Sequence, residues 1–238
     1  MEKITNKEIR ILRLINDFTY LDIDFFINIL YPNSKRERRF LTYGVKMKLK
    51  KLLDFNYIEI ERSHDQIEFY KTTEKGRVFL MFRSITVFKS NLKINGAKFH
   101  HHRLSSLIYS KIVPSYKIAY MSERTLLSMS NDGIVPDLAI KYKNTIVYFE
   151  IELSQKQERI IKEKLSKYEK KSSNVYIVYL TESNAVIKAV NQLKKKYLYS
   201  HRFKAYSLYD FMKNPTNYLR EIEGFSEAIQ WVRPLKNS

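Results

Sequence analysis

The chain has no cysteine in 238 residues. That excludes a disulfide scaffold and any thiolate metal site, and it makes the cytoplasm the expected location. Glycine and proline are scarce, at five each, and no low-complexity segment or internal repeat interrupts the sequence. Acidic residues are the minority: 25 Asp and Glu face 43 Lys and Arg, a formal charge of +18. Such an imbalance calls for a polyanionic partner, nucleic acid or an anionic membrane surface. No apolar run approaches the length of a membrane span. Neither a phosphate-binding loop nor a dinucleotide fingerprint occurs, so ATP-driven work and redox chemistry have no support. What is present is material for a core. Hydrophobic residues make up 44% and aromatics 14%, so this is a folded chain and not a basic tail.

Up to about residue 80 the pattern reads as three helices and a hairpin. Thr5 and Glu8 have capping-box spacing, ahead of Ile9, Leu12, Ile15 and Phe18 at helical period. A second helix spans about 24–30 and stops at Tyr31-Pro32-Asn33. The third, about 34–53, is given an apolar face that includes Phe40, Leu49 and Leu53, with Gly44 against it. "YIEIER" (57–62) and "QIEFYKT" (66–72) alternate as strands around Ser63-His64-Asp65. Residues 34–51 carry Lys35, Arg36, Arg38, Arg39, Lys46, Lys48, Lys50 and Lys51 against Glu37 alone. Cations so concentrated can neutralise phosphates and release counterions. Three helices and then a two-stranded wing resemble a winged helix, in which one helix enters the major groove and the wing lies along the backbone.

A boundary is expected near Asn95, giving domains 1–95 and 96–238. The second part reads as a helix at about 100–112, three strands, a helix at about 155–171, a strand, a helix at about 184–197 and a strand. That order gives an α/β layer with a central mixed sheet. It too is basic, with 24 Lys and Arg against 13 Asp and Glu over 97–238.

Its most hydrophobic stretch, "GIVPDLAIKYKNTIVYFEIELSQK" (133–156), holds three carboxylates. Glu150 and Glu152 are two apart on a strand and share a face, while Phe149 and Ile151 take the other. A hairpin through Lys143-Asn144 sets Asp137 beside them. Carboxylates so grouped raise one another's pKa unless a cation or proton lies between them. A hard ion such as Mg²⁺ or Mn²⁺ needs only one or two of them, with waters and phosphate oxygens.

"PD" (136–137), a turn, then "ExE" (150–152) and an amphipathic helix resemble the PD-(D/E)xK nuclease fold. Across residues 5–210 the order "YKTTEKG" (70–76), "HRL" (102–104), "SER" (122–124), "PD" and "EIELSQK" (150–156) is similar to the replication-relaxation family of bacterial plasmids and mobile elements. The resemblance implies a winged helix joined to a nuclease-like domain, with Asp137 and Glu150 at the metal-binding positions and His102 and Glu123 as further members. Glu152 stands where the motif has lysine, and Lys156, at the start of the next helix, is the lysine expected to reach into the catalytic site, with His102 as a further catalytic candidate.

Three functions follow. The first is a duplex DNA-binding protein assisting replication or conjugative mobilisation, with a relaxase or replication protein as partner. The second is a Mg²⁺-dependent endonuclease using Asp137, Glu150 and Glu152. The third is a repressor that pairs as a homodimer through its α/β domain. Two motifs carry less. The run His100-His101-His102 diverges by ~100° per residue on a helix, so the three cannot share one ion. The basic helix 157–171 has Ile160, Ile161, Leu165 and Tyr168 placed to pack on a sheet and not on a membrane.

Overall fold

The computed structural model describes residues 4–227 apart from 19, 33, 89–95, 117, 130–134, 155–157, 172–173, 198–199 and 226. It is a mixed α+β protein of two compact units, Met1–Ser110 and Lys111–Ser238. No described helix is long and apolar enough to cross a membrane.

The first unit runs α1 (Asn6–Asp17), β1 (Leu21–Asp22), α2 (Ile23–Leu30), α3 (Arg38–Asp54), β2 (Ile58–Arg62), β3 (Glu68–Thr72), α4 (Glu74–Met81) and the first part of α5 (Gly96–Tyr116). α1 begins with the expected capping box: the Thr5 amide donates to Glu8 Oε2 at 2.7 Å and the Glu8 amide to Thr5 Oγ1 at 3.3 Å. Burial pushes the Glu8 pKa up, but the Thr5 donors and Lys51 outweigh it and hold it below the usual carboxylate range. The expected hairpin forms, with Ile60 opposite Tyr70. The two-residue β1 adds a third strand, pairing Leu21 with Tyr70; it is too short for periodicity to reveal.

The apolar face assigned to α3 needs correction. Its buried residues are Leu41, Val45, Leu49 and Leu52, whereas Phe40 is 57% exposed and Leu53 half-buried. Phe40 and Leu49 are nine residues apart, and nine steps of ~100° place them on opposite sides of the helix. Gly44 has a packing reason: a Cβ there would lie 2.5 Å from the Tyr31 hydroxyl.

The Asn95 boundary lies outside the described residues, and the division between units falls later, within α5. The early part of this helix packs into the first unit. Phe99 joins Tyr20 and Phe69 in a buried cluster, and the Arg103 guanidinium donates to Asp22 Oδ2 at 2.5 Å. Asp22 is also the N-cap of α2, accepting from the Phe25 amide at 2.9 Å, so one carboxylate fixes two helices.

The second unit adds β4 (Ala119–Ser122), α6 (Glu123–Met129), β5 (Leu138–Tyr142), β6 (Thr145–Glu152), α7 (Glu158–Glu169), β7 (Val175–Thr181), α8 (Asn184–Leu193), β8 (Phe203–Ser207), α9 (Leu208–Lys213) and α10 (Pro215–Leu219). Its five strands lie in the order β4-β5-β6-β7-β8, the first three antiparallel and the last three parallel. The mixed sheet is therefore the expected one. The hairpin between β5 and β6 turns at Lys143, φ 52°, as a tight two-residue connection requires. Ile161, Leu165 and Tyr168 of α7 and Val186 and Val190 of α8 pack with Val175, Ile177 and Tyr179 of β7. Buried Arg202 donates to the carbonyls of Glu169, Lys171 and Val175 at 3.3–3.4 Å. It thereby satisfies acceptors at the C-terminal end of α7.

α4, unforeseen in the sequence, begins where the chain crosses itself. The Thr73 amide donates to the Tyr57 carbonyl at 3.1 Å, and a Cβ on Gly76 would lie 2.1 Å from that oxygen. Gly76→Ala therefore forces backbone apart and lowers stability by about 1–3 kcal/mol. A thermal melt checks this; an unchanged midpoint would mean that the crossing opens without cost.

Candidate functional site

The acidic cluster forms on the sheet face that α7 covers. Leu138 pairs with Phe149, which places Asp137 across from Glu150, and Glu150 in turn pairs with Tyr179 on β7. Asp137, Glu150 and Glu152 are 9%, 3% and 6% exposed, so they are not surface strand charges. Asp137 is locked by backbone: its amide donates to the Phe149 carbonyl at 3.0 Å and its Oδ2 accepts from the Ile151 amide at 2.6 Å. Glu152 Oε1 accepts from the Ser154 hydroxyl at 2.8 Å and from its amide at 3.2 Å.

Glu150 is held by two residues that the motifs in the sequence do not single out for the site. Lys164 Nζ donates to its Oε2 and the Tyr168 hydroxyl to its Oε1. Burial raises the Glu150 pKa, Asp137 raises it further, and Lys164 and Tyr168 pull against them. Burial lowers that of Lys164, but Glu150, Asp137 and Glu152 outweigh it and the net shift is upward. One ammonium thus answers all three carboxylates. Beside them the buried Tyr179 hydroxyl has no hydrogen-bond partner among the described residues. Burial and then the three carboxylates raise its pKa well above the ordinary value.

A signal for Lys164 was present in the sequence. Ile161, Lys164, Leu165 and Tyr168 follow i, i+3, i+4, i+7, so this lysine shares the sheet-facing stripe of α7. Lys156 lies outside the described residues. His102 sits half-buried on α5 in the first unit, its ring centroid 5.6 Å from that of Tyr20. Glu123 opens α6 in the second.

The donors as they stand fit a lysine ammonium. Among the described residues, Asp137, Glu150 and Glu152 do not bring one oxygen apiece within 4.8 Å of one another. A divalent ion at the Asp137–Glu150 pair would be repelled by the Lys164 ammonium that already lies on Glu150.

The second candidate surface is α3 and the residues before it. Lys35, Arg36, Arg38, Arg39, Lys46 and Lys50 are exposed and Lys48 is half-buried. Some are already engaged: Arg38 with Asp24 at 2.5 Å, Arg39 with Glu37 at 2.7 Å, and Lys48 over the Tyr31 ring at 4.9 Å. Lys48 also lies close enough to Lys7 to push that lysine's pKa down, a mark of crowded positive charge. Phe40, Tyr43 and Met47 are 57%, 67% and 51% exposed on the same helix. The hairpin is different. Residues 57–72 hold Glu59, Glu61, Asp65 and Glu68 against Arg62 and Lys71, and Lys71 is committed to Glu59 and Glu61 at 3.2 and 2.5 Å.

Comparison with protein-family models, curated proteins and solved structures found no match to this chain.

The Glu150–Lys164 pair has a pH signature. Burial and Asp137 already hold the Glu150 pKa above that of the unfolded chain, and loss of the Lys164 ammonium moves it further the same way. The charged form is thus the destabilised one: stability falls as pH rises from about 4.5 through the folded pKa. Lys164→Met steepens that fall. At pH 8 it costs about 3 kcal/mol, the low end for a broken buried pair because Lys164 is a third exposed. At pH 5 it costs less. Urea unfolding at the two pH values measures the difference, and an equal loss at both would show that Lys164 does not compensate Glu150.

Proposed function

We propose that this is a duplex DNA-binding protein whose first unit, a winged-helix type of module, docks through α3. The observation that carries this reading is the exposed cationic face of α3 opposite its buried Leu41, Val45, Leu49 and Leu52. A 17-residue helix held to the core by one side leaves the other free to enter a groove, and its lysines and arginines can neutralise phosphates and release counterions. The hairpin's carboxylate surplus opposes a path along the phosphate backbone, so α3 and not the wing is the main DNA-facing element. The further role is assistance to replication or mobilisation of a plasmid or similar element, with a relaxase or replication protein as partner.

A second reading, a metal-dependent endonuclease, is favoured by one observation. The buried, unpartnered Tyr179 hydroxyl lies on the strand beside Glu150, facing the only described cluster of buried carboxylates on this sheet face. This reading predicts that Mn²⁺ raises the melting temperature, because the ion binds only the folded site. It also predicts nicking of supercoiled plasmid that disappears in Asp137→Asn and Glu150→Gln. Absence of both effects removes the enzyme and leaves the binding protein.

For the main reading, replacing Arg39, Lys46 and Lys50 by alanine should weaken duplex binding and flatten its salt dependence. The log–log slope should drop by up to about 0.9 for each phosphate that is no longer neutralised. Gel shifts at several salt concentrations measure both affinity and slope. If neither changes, the DNA interface lies away from α3.

A further inference from the structure

We propose that the outer face of α3 recognises thymine methyl groups in the major groove of A·T-rich duplex DNA, an inference that rests on the duplex-binding reading and names what its site reads. On a helical wheel of ~100° per residue, Phe40, Met47 and Tyr43 fall within an arc of about 60°. Lys50, Arg39 and Lys46 occupy the next ~60°. An apolar stripe more than half exposed therefore runs alongside a row of cations. Its partner has to offer strong negative potential and isolated apolar groups together.

The major groove of A·T-rich DNA does so. It is about 12 Å wide and admits a helix, and the thymine C5-methyl is the apolar group on its floor. A G·C pair has no such methyl, so over it the stripe would meet only base donors and acceptors, with no apolar contact to offset their desolvation. Two alternatives fit less well. A protein partner conflicts with the adjacent cations, because the centres of protein interfaces are depleted of charge. Single-stranded DNA would need open ring faces for base stacking, but the Arg39 guanidinium lies 4.8 Å from the Phe40 ring centroid and covers one of them.

The test compares one A·T-rich duplex made with thymidine and again with deoxyuridine, which lacks the methyl, using fluorescence anisotropy at fixed salt. The deoxyuridine duplex should bind about fourfold more weakly for each methyl engaged, the factor that corresponds to burying one such group. The triple variant Phe40→Ala/Tyr43→Ala/Met47→Ala, whose side chains lie outside the core, should abolish the difference between the two duplexes. Lys46→Ala should weaken both equally. Equal wild-type affinity for the two duplexes overturns this inference while the duplex-binding reading stands; binding to neither removes both. Tighter binding to the single strand than to the duplex overturns it in favour of base stacking. Discrimination that survives in Phe40→Ala/Tyr43→Ala/Met47→Ala overturns it as well, because the methyl is then read elsewhere.

Discussion

A carboxylate buried inside a sheet-and-helix layer without a counter-charge costs several kcal/mol, and the second unit is arranged around avoiding that for Glu150. The parallel pairing of β6 with β7 requires a crossover, and α7 supplies it. The crossover helix lays Ile161, Leu165 and Tyr168 on the sheet, and the same stripe delivers Lys164 to Glu150. Arg202 holds the carbonyls at the far end of α7. Hydrophobic packing and charge compensation therefore depend on one helix orientation, and a rotation of α7 by one residue would break both. Such a pair adds little net stability over an apolar replacement of the same shape. What it favours is the α7 orientation that sets Lys164 against Glu150.

Where the sequence was legible, a strong period or a specific cap made it so. The Thr5–Glu8 box, the β2–β3 hairpin, the β5–β6 turn at Lys143 and the common face of Glu150 and Glu152 all follow from local spacing. What escaped depended on distant partners. β1 exists because Tyr70 is there to pair with Leu21. α4 starts at a backbone crossing that only Gly76 tolerates. Lys164 could be counted onto the inner face of α7, yet in a helix so rich in lysine its role emerges only once β6 is seen beneath it.

The first unit shows the opposite treatment of charge. Arg39, Lys46 and Lys50 are kept outside, on the face of α3 turned away from Leu41, Val45, Leu49 and Leu52, and they share that surface with exposed Phe40, Tyr43 and Met47. Placing Phe40 in the core on hydrophobicity alone hides this surface; the helical period restores it. The neighbouring hairpin carries more carboxylates than cations, so the two candidate DNA-facing elements differ in sign. Electrostatics then favours the helix, since a net-negative ribbon beside phosphates raises the energy of the complex at every separation within a Debye length.

The most direct measurement is the map of backbone amide shifts in solution NMR as duplex DNA is added. Docking through α3 predicts that the largest changes fall on residues 38–54, with 58–72 little affected. Changes confined to the hairpin or to the second unit, with α3 silent, would contradict it.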